Sequence, residues 1–139
     1  MASPAPLPSP VLILGMGWSG RVLAAQLQAR GVQVSGTVRD PSSTADDGLQ
    51  RHRLHADAAP SAALLEAIAQ AQAVLCSVPP DAQGDPALRQ LLPALQASPA
   101  LRWVGYLSSS SVYCDRGGGW VDETSEADAS ETAGVQRAL

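Results

Sequence analysis

Apolar residues along this chain alternate between short continuous runs and stripes with helical spacing. Such runs predict five strands, at 11–14, 32–38, 49–55, 73–78 and 101–107. Stripes between them predict helices at 18–30, at 61–71 and from Pro86 onward. Alternating strands and helices with right-handed crossovers predict an α/β fold, a doubly wound parallel sheet in a single domain.

Residues at the helix ends support this division. Gly31 follows the first helix, where a left-handed residue commonly ends a helix, and Asp85 precedes the third as a capping residue. The third helix has Leu88, Leu91, Leu92 and Leu95 at i, i+3, i+4 and i+7. Because Pro93 falls inside that pattern, we expect a kink or an early end there.

A glycine-rich turn joins the first strand to the first helix. Gly15, Gly17 and Gly20 have the spacing G-x-G-x-x-G, with Trp18 and Ser19 between the last two. The first glycine permits a tight turn, the second a close approach of phosphate, and the third close packing of helix on strand. The turn therefore predicts a dinucleotide site over a helix N-terminus. The alternative is a turn that serves packing alone.

The second strand ends in Arg39 and Asp40, about 20 residues beyond the glycines, where such folds contact the adenosine ribose. Arginine suits a 2′-phosphate, whereas an acidic residue binds a 2′-hydroxyl. Arg39 therefore favours NADP, and Asp40 leaves NAD open. The alternative for Arg39 is a solvated charge at a strand end.

Composition narrows the classes of partner. The chain has 139 residues, 45% of them hydrophobic, and a net charge of −4. We expect no nucleic-acid partner, since there is no basic stripe, and no membrane partner, since no apolar run approaches about 18 residues. Segment 1–9 lacks the features of a signal peptide, so we expect a disordered lead-in, a nucleotide-binding domain over 10–139, and a cytoplasmic protein.

The possible metal ligands are few. Cys76 and Cys114 are too few for a disulfide framework, and with His52 and His55 they show no metal spacing, so both cysteines are interpreted as packing residues. Asp122 and Glu123 are interpreted as a solvated turn. We therefore expect no metal site.

Four segments resemble one family. They are Gly15–Gly20, Thr37–Arg39, Asp57, and Tyr106–Tyr113 followed by Trp120–Glu123. Together they resemble the extended or atypical short-chain dehydrogenase/reductases, the NAD-dependent epimerase/dehydratase group. The resemblance runs from Pro10 to the end of the chain and covers the first half of a full-length member. It implies a Rossmann-like fold.

The resemblance also implies roles for single residues. Gly15, Gly17 and Gly20 would lie against the pyrophosphate and Arg39 near the ribose phosphate. Asp57, just past the third strand, would lie beside the adenine, and Val78 with Pro79 along the cofactor cleft. Ser109, four residues before Tyr113, matches the catalytic serine.

One family feature is missing. Members use a Tyr-x-x-x-Lys pair, in which lysine lowers the pKa of the phenol. The matching positions here are Ala133 and Arg137. Ser109, Ser110 and Tyr113 remain as candidate proton donors, although the position of Tyr113 favours packing in a loop.

The match also ends at Leu139, before the last strands and the substrate-binding region of a full-length member. We therefore expect a fragment whose apolar surface is either covered by a partner, with a homodimer as one option, or left exposed.

Two functions fit these features. The favoured one is the NADP-binding half of an oxidoreductase or epimerase that transfers hydride to or from a small carbonyl, alcohol or sugar-like substrate. The alternative is a non-catalytic NADP-binding regulatory module, which the missing Tyr-x-x-x-Lys favours.

Overall fold

The computed structural model of the protein describes residues 5–43, 47–108, 113 and 117–126. Its regular elements are, in chain order, β1 (Val11–Leu14), α1 (Trp18–Gln28), β2 (Val34–Val38), a 3₁₀ turn (Pro41–Ser43), β3 (Gln50–Arg53), α2 (Ala62–Gln70), β4 (Ala73–Cys76), α3 (Pro86–Ala97) and β5 (Trp103–Tyr106). The longest of these helices, α3, has 12 residues, fewer than the length needed to cross a membrane.

The five strands form one parallel sheet in the order β3-β2-β1-β4-β5. β1 lies at the centre, where Ile13 is in register with Gly36 on one side and Leu75 on the other. Strand order reverses at β1, so the chain winds outward in both directions. The doubly wound parallel sheet is therefore confirmed.

Helices cover both faces of the sheet. On one face α1 packs over Val11 and Ile13, with Ala24 fully buried. On the other face α2 and α3 pack over Leu12 and Leu14. All four residues of β1 are buried, as expected for a strand enclosed between two layers of helix.

The buried stripe of α3 is narrower than its leucine pattern. Leu91 and Leu95 are buried together with Ala87, at spacing i, i+4, i+8. Leu88 and Leu92 are 36% and 44% exposed. Because α3 shares its face of the sheet with α2, one row of side chains makes the sheet contact and the adjoining row remains at the surface.

Pro93 does not end α3 early, so the expected early end was wrong, and a kink at this position stays a prediction. The helix continues to Ala97. Pro93 is exposed, so the Arg89 carbonyl that loses its helical N–H donor lies toward solvent. Burial of Leu91 and Leu95 on either side of the proline holds the two halves of the helix on the sheet.

Near the N-terminus, Ser9 is hydrogen-bonded to the residue that precedes β2, although Ser9 falls within the predicted lead-in. Its Oγ accepts from the Gln33 backbone N–H at 3.1 Å. The domain boundary at 9/10 stays a prediction.

His52 is the one histidine of the described residues that is buried, at 5% exposure. It lies on β3 in register with Thr37, and its Nε2 has no hydrogen-bond partner there. Burial lowers the pKa of His52, because the charged imidazolium loses its water. The imidazole is consequently held in its neutral form.

We expect this histidine to make stability depend on pH. Because its folded pKa lies below the unfolded value of about 6.5, the unfolded chain takes up a proton first as pH falls. The free energy of unfolding should therefore decrease between pH 7.5 and 5.5, by at most about 1.4 kcal/mol per pH unit. Urea unfolding should show a flatter profile for His52→Leu than for the wild-type chain. Parallel profiles for the two proteins would contradict this role of His52.

Candidate functional site

The predicted site residues follow strands that end at one edge of the sheet. Since all five strands are parallel, their carboxyl ends lie together. The glycine turn follows β1, Arg39 follows β2, Asp57 follows β3, and Val78 with Pro79 follows β4. Ligands of doubly wound sheets bind at this edge where strand order reverses, which here is between β1 and β4.

Hydrogen bonds from two neighbouring strands hold the first residue of the glycine turn, Gly15. The Gly15 N–H donates to Thr37 Oγ1 at 2.9 Å, and Ser77 Oγ donates to the Gly15 carbonyl at 2.8 Å. The Met16 N–H donates to the Thr37 carbonyl at 2.7 Å. The turn is therefore fixed to the ends of both β2 and β4.

The side chain of Met16 anchors the turn from below. Met16 is 7% exposed, and its methyl group occupies the space above Gly36 on β2. A Cβ on Gly36 would come within 2.2 Å of Met16 Cε, so glycine is required there for Met16 to fit. No motif in the sequence marks Gly36 or Ser77 as part of this turn.

The three glycines of the motif have different reasons for being glycine. Gly15 has φ +92°, and a Cβ there would lie 2.8 Å from Ser77 Oγ. A Cβ on Gly20 would lie 3.1 Å from the Gly15 carbonyl oxygen and 3.2 Å from Ile13 Cγ2. Gly17 has φ −78°, and a Cβ there meets no atom of the described residues within 4 Å. Fold and packing therefore explain Gly15 and Gly20, whereas Gly17 adjoins open space.

The N-terminus of α1 lies beside that open space. The N-cap of α1 is Gly17, and no side chain of the described residues caps this helix, whereas Ser61 accepts from Leu64 N–H at the start of α2 and Asp85 caps α3. The first-turn N–H groups of a helix have no intrahelical acceptor, so α1 offers donors to an anion. Trp18, the first residue of α1, is 75% exposed, and Ser19 is exposed beside it.

Charged groups lie at the ends of β2 and β3. Arg39 is exposed and makes no ion pair with any described residue. The Asp40 carboxylate accepts hydrogen bonds from the Ser42 backbone N–H, at 2.9 Å, and hydroxyl, at 2.7 Å. These two bonds lower the pKa of Asp40. Asp40 is therefore engaged with its own turn, while the Arg39 guanidinium is available to a ligand.

Two arginines on β3 differ in whether they form an ion pair with a described residue. Arg51 forms a hydrogen-bonded ion pair with Asp47, which lowers the pKa of that carboxyl to about 2. Arg53 is exposed and in register with Val38, next to Arg39 in the sheet. It makes no ion pair within the described part of the chain. Arg39 and Arg53 thus both lie at the carboxyl ends of β2 and β3, where Arg53 also acts electrostatically on the Asp40 carboxylate.

Asp57 lies on the turn that follows β3, with its side chain 90% exposed. Its backbone N–H donates to His55 Nδ1 at 3.3 Å, and its Oδ2 lies 3.7 Å from the same nitrogen. The carboxylate is therefore accessible at the carboxyl edge, on the β3 side of the glycine turn.

The segment after β4 forms the opposite wall. The backbone nitrogen of Val78 is next to Gly15, since a Cβ on Gly15 would lie 3.1 Å from it. The following turn is closed by the Asp81 N–H, which donates to the Gly84 carbonyl at 2.8 Å, and by an ion pair of Asp81 with Arg89 at 3.0 Å. Val78 and Pro79 thus run between two fixed points.

The predicted catalytic residues are only partly placed. Ser109, Ser110, Ala133 and Arg137 lie outside the described residues. Tyr113 is described, is half-buried, and follows the end of β5. The catalytic roles of Ser109 and Tyr113 stay predictions.

A cleft of about 540 Å³ lies elsewhere, lined in part by Pro10, Gln33, Gln50 and Gln70. These residues lie at the amino ends of the strands or at the nearby end of α2. Because ligands of doubly wound sheets bind at the carboxyl edge, this cleft is not the candidate site.

Solved structures share this fold. A protein from Methylobacillus flagellatus assigned to the NAD-dependent epimerase/dehydratases is 24% identical, with a TM-score of 0.71, over 94% of this chain and 48% of its own. A short-chain dehydrogenase/reductase superfamily protein from Agrobacterium tumefaciens, with bound NAD, is 23% identical with a TM-score of 0.66, over 93% and 42% of the two chains. MoeE5, in complex with UDP-glucose and NAD, is 24% identical with a TM-score of 0.60, over 92% and 45%.

These neighbours confirm the Rossmann-like fold that the resemblance implies. The Methylobacillus and Agrobacterium proteins are described as members of the group that the sequence resembles. The chain spans about half the length of each, between 42% and 48%. No protein-family model matches the chain, and no curated protein does.

The different environments of Gly15 and Gly17 predict different costs of substitution. Gly15→Ala should lower the free energy of unfolding by roughly 1–3 kcal/mol, because alanine is strained at this positive φ and its methyl group contacts Ser77. Gly17→Ala should change it by less than about 1 kcal/mol, since the methyl group enters open space at a negative φ. Urea unfolding of both variants measures the difference. Equal losses would contradict the assignment of separate roles.

Proposed function

We propose that this chain binds a nicotinamide adenine dinucleotide across the glycine turn. The observation that carries the proposal is the free space at Gly17 beside the uncapped start of α1. A pyrophosphate fits both features, because it needs backbone N–H donors and an approach that no Cβ blocks. Nicotinamide supplies hydride chemistry when such a cofactor is bound.

We place the other parts of the cofactor at the neighbouring strand ends, by analogy with doubly wound folds. Gly15, Gly17 and Gly20 would lie along the pyrophosphate, with Trp18 and Ser19 at its side. The ribose would lie toward Arg39 and the adenine toward Asp57. Val78 and Pro79 would form the wall beside Gly15. The presence of NAD in the Agrobacterium and MoeE5 structures supports the class of cofactor.

The binding test uses Gly17→Ala, the variant that is expected to keep its stability. NADPH titrated into the wild-type chain should bind, as followed by its fluorescence, and Gly17→Ala should weaken binding without a matching loss of stability, because its methyl group occupies phosphate space. Absence of binding by the folded wild-type chain would overturn the proposed function.

We further propose that NADP is preferred over NAD. Arg39 is exposed and unpaired among the described residues, Arg53 adds a second charge, and the Asp40 carboxylate already accepts two bonds from Ser42. A ribose 2′-phosphate gains from the guanidinium fork, whereas Asp40 would have to leave Ser42 to accept from a 2′-hydroxyl.

Arg39→Ala should therefore lower the affinity for NADPH by about 10- to 100-fold, the range for a charge-assisted hydrogen bond, and change that for NADH little. Arg30→Ala is the matched control, because Arg30 is exposed past the far end of α1. Calorimetric dissociation constants for both cofactors measure the effect. An unchanged NADPH/NADH ratio in Arg39→Ala would reject the 2′-phosphate assignment.

For the reaction, we propose hydride transfer between nicotinamide and a carbonyl or alcohol carbon of a small molecule, with a sugar-like substrate favoured. The structures bound to UDP-glucose and UDP-glucuronic acid support a sugar nucleotide as the substrate class. Ser109 would hydrogen-bond the reacting oxygen. Ala133 and Arg137 stand where the family that this chain resembles has a tyrosine that supplies a proton and a lysine that lowers its pKa.

The 139-residue chain should consequently bind NADPH yet show no appreciable NADPH oxidation with a panel of aldehydes, ketones and keto-sugar nucleotides, followed by absorbance. Rapid oxidation by this chain would contradict that expectation. In that case Ser109→Ala should lower the rate of the chemical step far more than NADPH affinity, because a hydroxyl acting on the reacting oxygen stabilises the transition state.

A further inference from the structure

Gln90 connects α3 to the turn that carries Asp57. Its Nε2 donates to the His55 carbonyl at 2.8 Å and to the Ala56 carbonyl at 3.0 Å. These two carbonyls lie 35 and 34 residues earlier in the chain. One side chain amide therefore uses both of its N–H groups on the two peptides that precede Asp57.

The turn has few other attachments. Its bonds from Ala58 N–H to the His55 carbonyl and from Asp57 N–H to His55 Nδ1 are internal. The turn begins after Leu54, whose N–H donates to Val38 in the sheet, and ends before Ser61, which caps α2. Within the described residues, the hydrogen bonds that join this turn to another element are the two from Gln90.

The backbone of Gln90 is held in place by its neighbour on α3. Leu91, the next residue of α3, is fully buried in the core beneath the helix. Gln90 Oε1 is also buried and has no hydrogen-bond partner among the residues that the structure describes. A buried, unpaired acceptor costs free energy that an apolar side chain would not incur. The gain from the amide at this position is its pair of N–H donors.

We infer that Gln90 is a positioning residue for adenine recognition: it holds the His55–Ala56 peptides so that the Asp57 carboxylate faces the 6-amino group of the adenine. This inference rests on the proposed function, in which the adenine lies beside Asp57. A carboxylate accepts from an amino group and repels a carbonyl oxygen at the same place, so the pair discriminates adenine from hypoxanthine.

The test compares NADP with nicotinamide hypoxanthine dinucleotide phosphate, in which a carbonyl oxygen replaces the 6-amino group. By calorimetry the wild-type chain should bind NADP at least about 10-fold more tightly. Gln90→Met should reduce this ratio to below about 3 while leaving affinity for the hypoxanthine analogue nearly unchanged. Gln96→Met, on an exposed position of α3, is the matched control and should keep the wild-type ratio.

The outcomes separate the two proposals. A wild-type chain that binds neither nucleotide overturns the proposed function. Wild-type binding without discrimination overturns the Asp57–adenine contact and this inference with it. A wild-type ratio retained in Gln90→Met overturns the role of Gln90 alone. Should Gln90→Met fail to fold, Gln90→Asn decides: the amide remains but is one methylene too short, so the ratio should again fall, and a retained ratio overturns the role.

Discussion

The geometry of the carboxyl edge of the sheet depends on the hydrogen bonds that hold Gly15. Thr37 accepts its N–H from β2, and Ser77 donates to its carbonyl from β4. These two bonds join the three central strands immediately beyond the point where their own ladder ends. The left-handed conformation of Gly15 directs the chain between the two hydroxyls, and the free side of the turn then faces outward at Gly17. The same two hydrogen bonds therefore fix the glycine turn and join the ends of the three central strands.

Much of the fold follows from the distribution of apolar residues. Strands buried on both faces read as continuous runs, and every predicted strand lies in the sheet. The same pattern was less reliable for the helix faces. Leu88 and Leu92 have the right spacing to be buried, but Ala87 occupies the sheet contact beside Leu91 and Leu95. Periodicity identifies a stripe, whereas the neighbouring helix determines which side of that stripe reaches the core. For Pro93 the exposure of the affected carbonyl decided the outcome, and spacing carries no information about exposure.

The site was predictable to the extent that a ligand imposes a residue type. Glycine spacing located the turn, and the strand ends located Arg39 and Asp57. The supporting residues carry no such mark. Ser77 and Gln90 are common polar residues whose partners lie 62 and 35 positions away, so only the folded chain brings donor and acceptor together. Gly36 is similar, because its lack of a side chain matters only once the Met16 methyl group and the Ile13 carbonyl oxygen lie beside it.

The uncapped start of α1 has a consequence for how much of the chain is folded in a cell. Ser61 and Asp85 cap α2 and α3 with their own side chains, whereas the first amide groups of α1 have no capping side chain within the described part of the chain. A ligand that binds only the folded chain adds about 2.7 kcal/mol of stability at a concentration 100 times its Kd. That is a sizeable share of the roughly 5–15 kcal/mol by which a domain is stable. Supply of such a ligand would then set the abundance of the folded chain and its resistance to proteolysis, in addition to occupancy of the site.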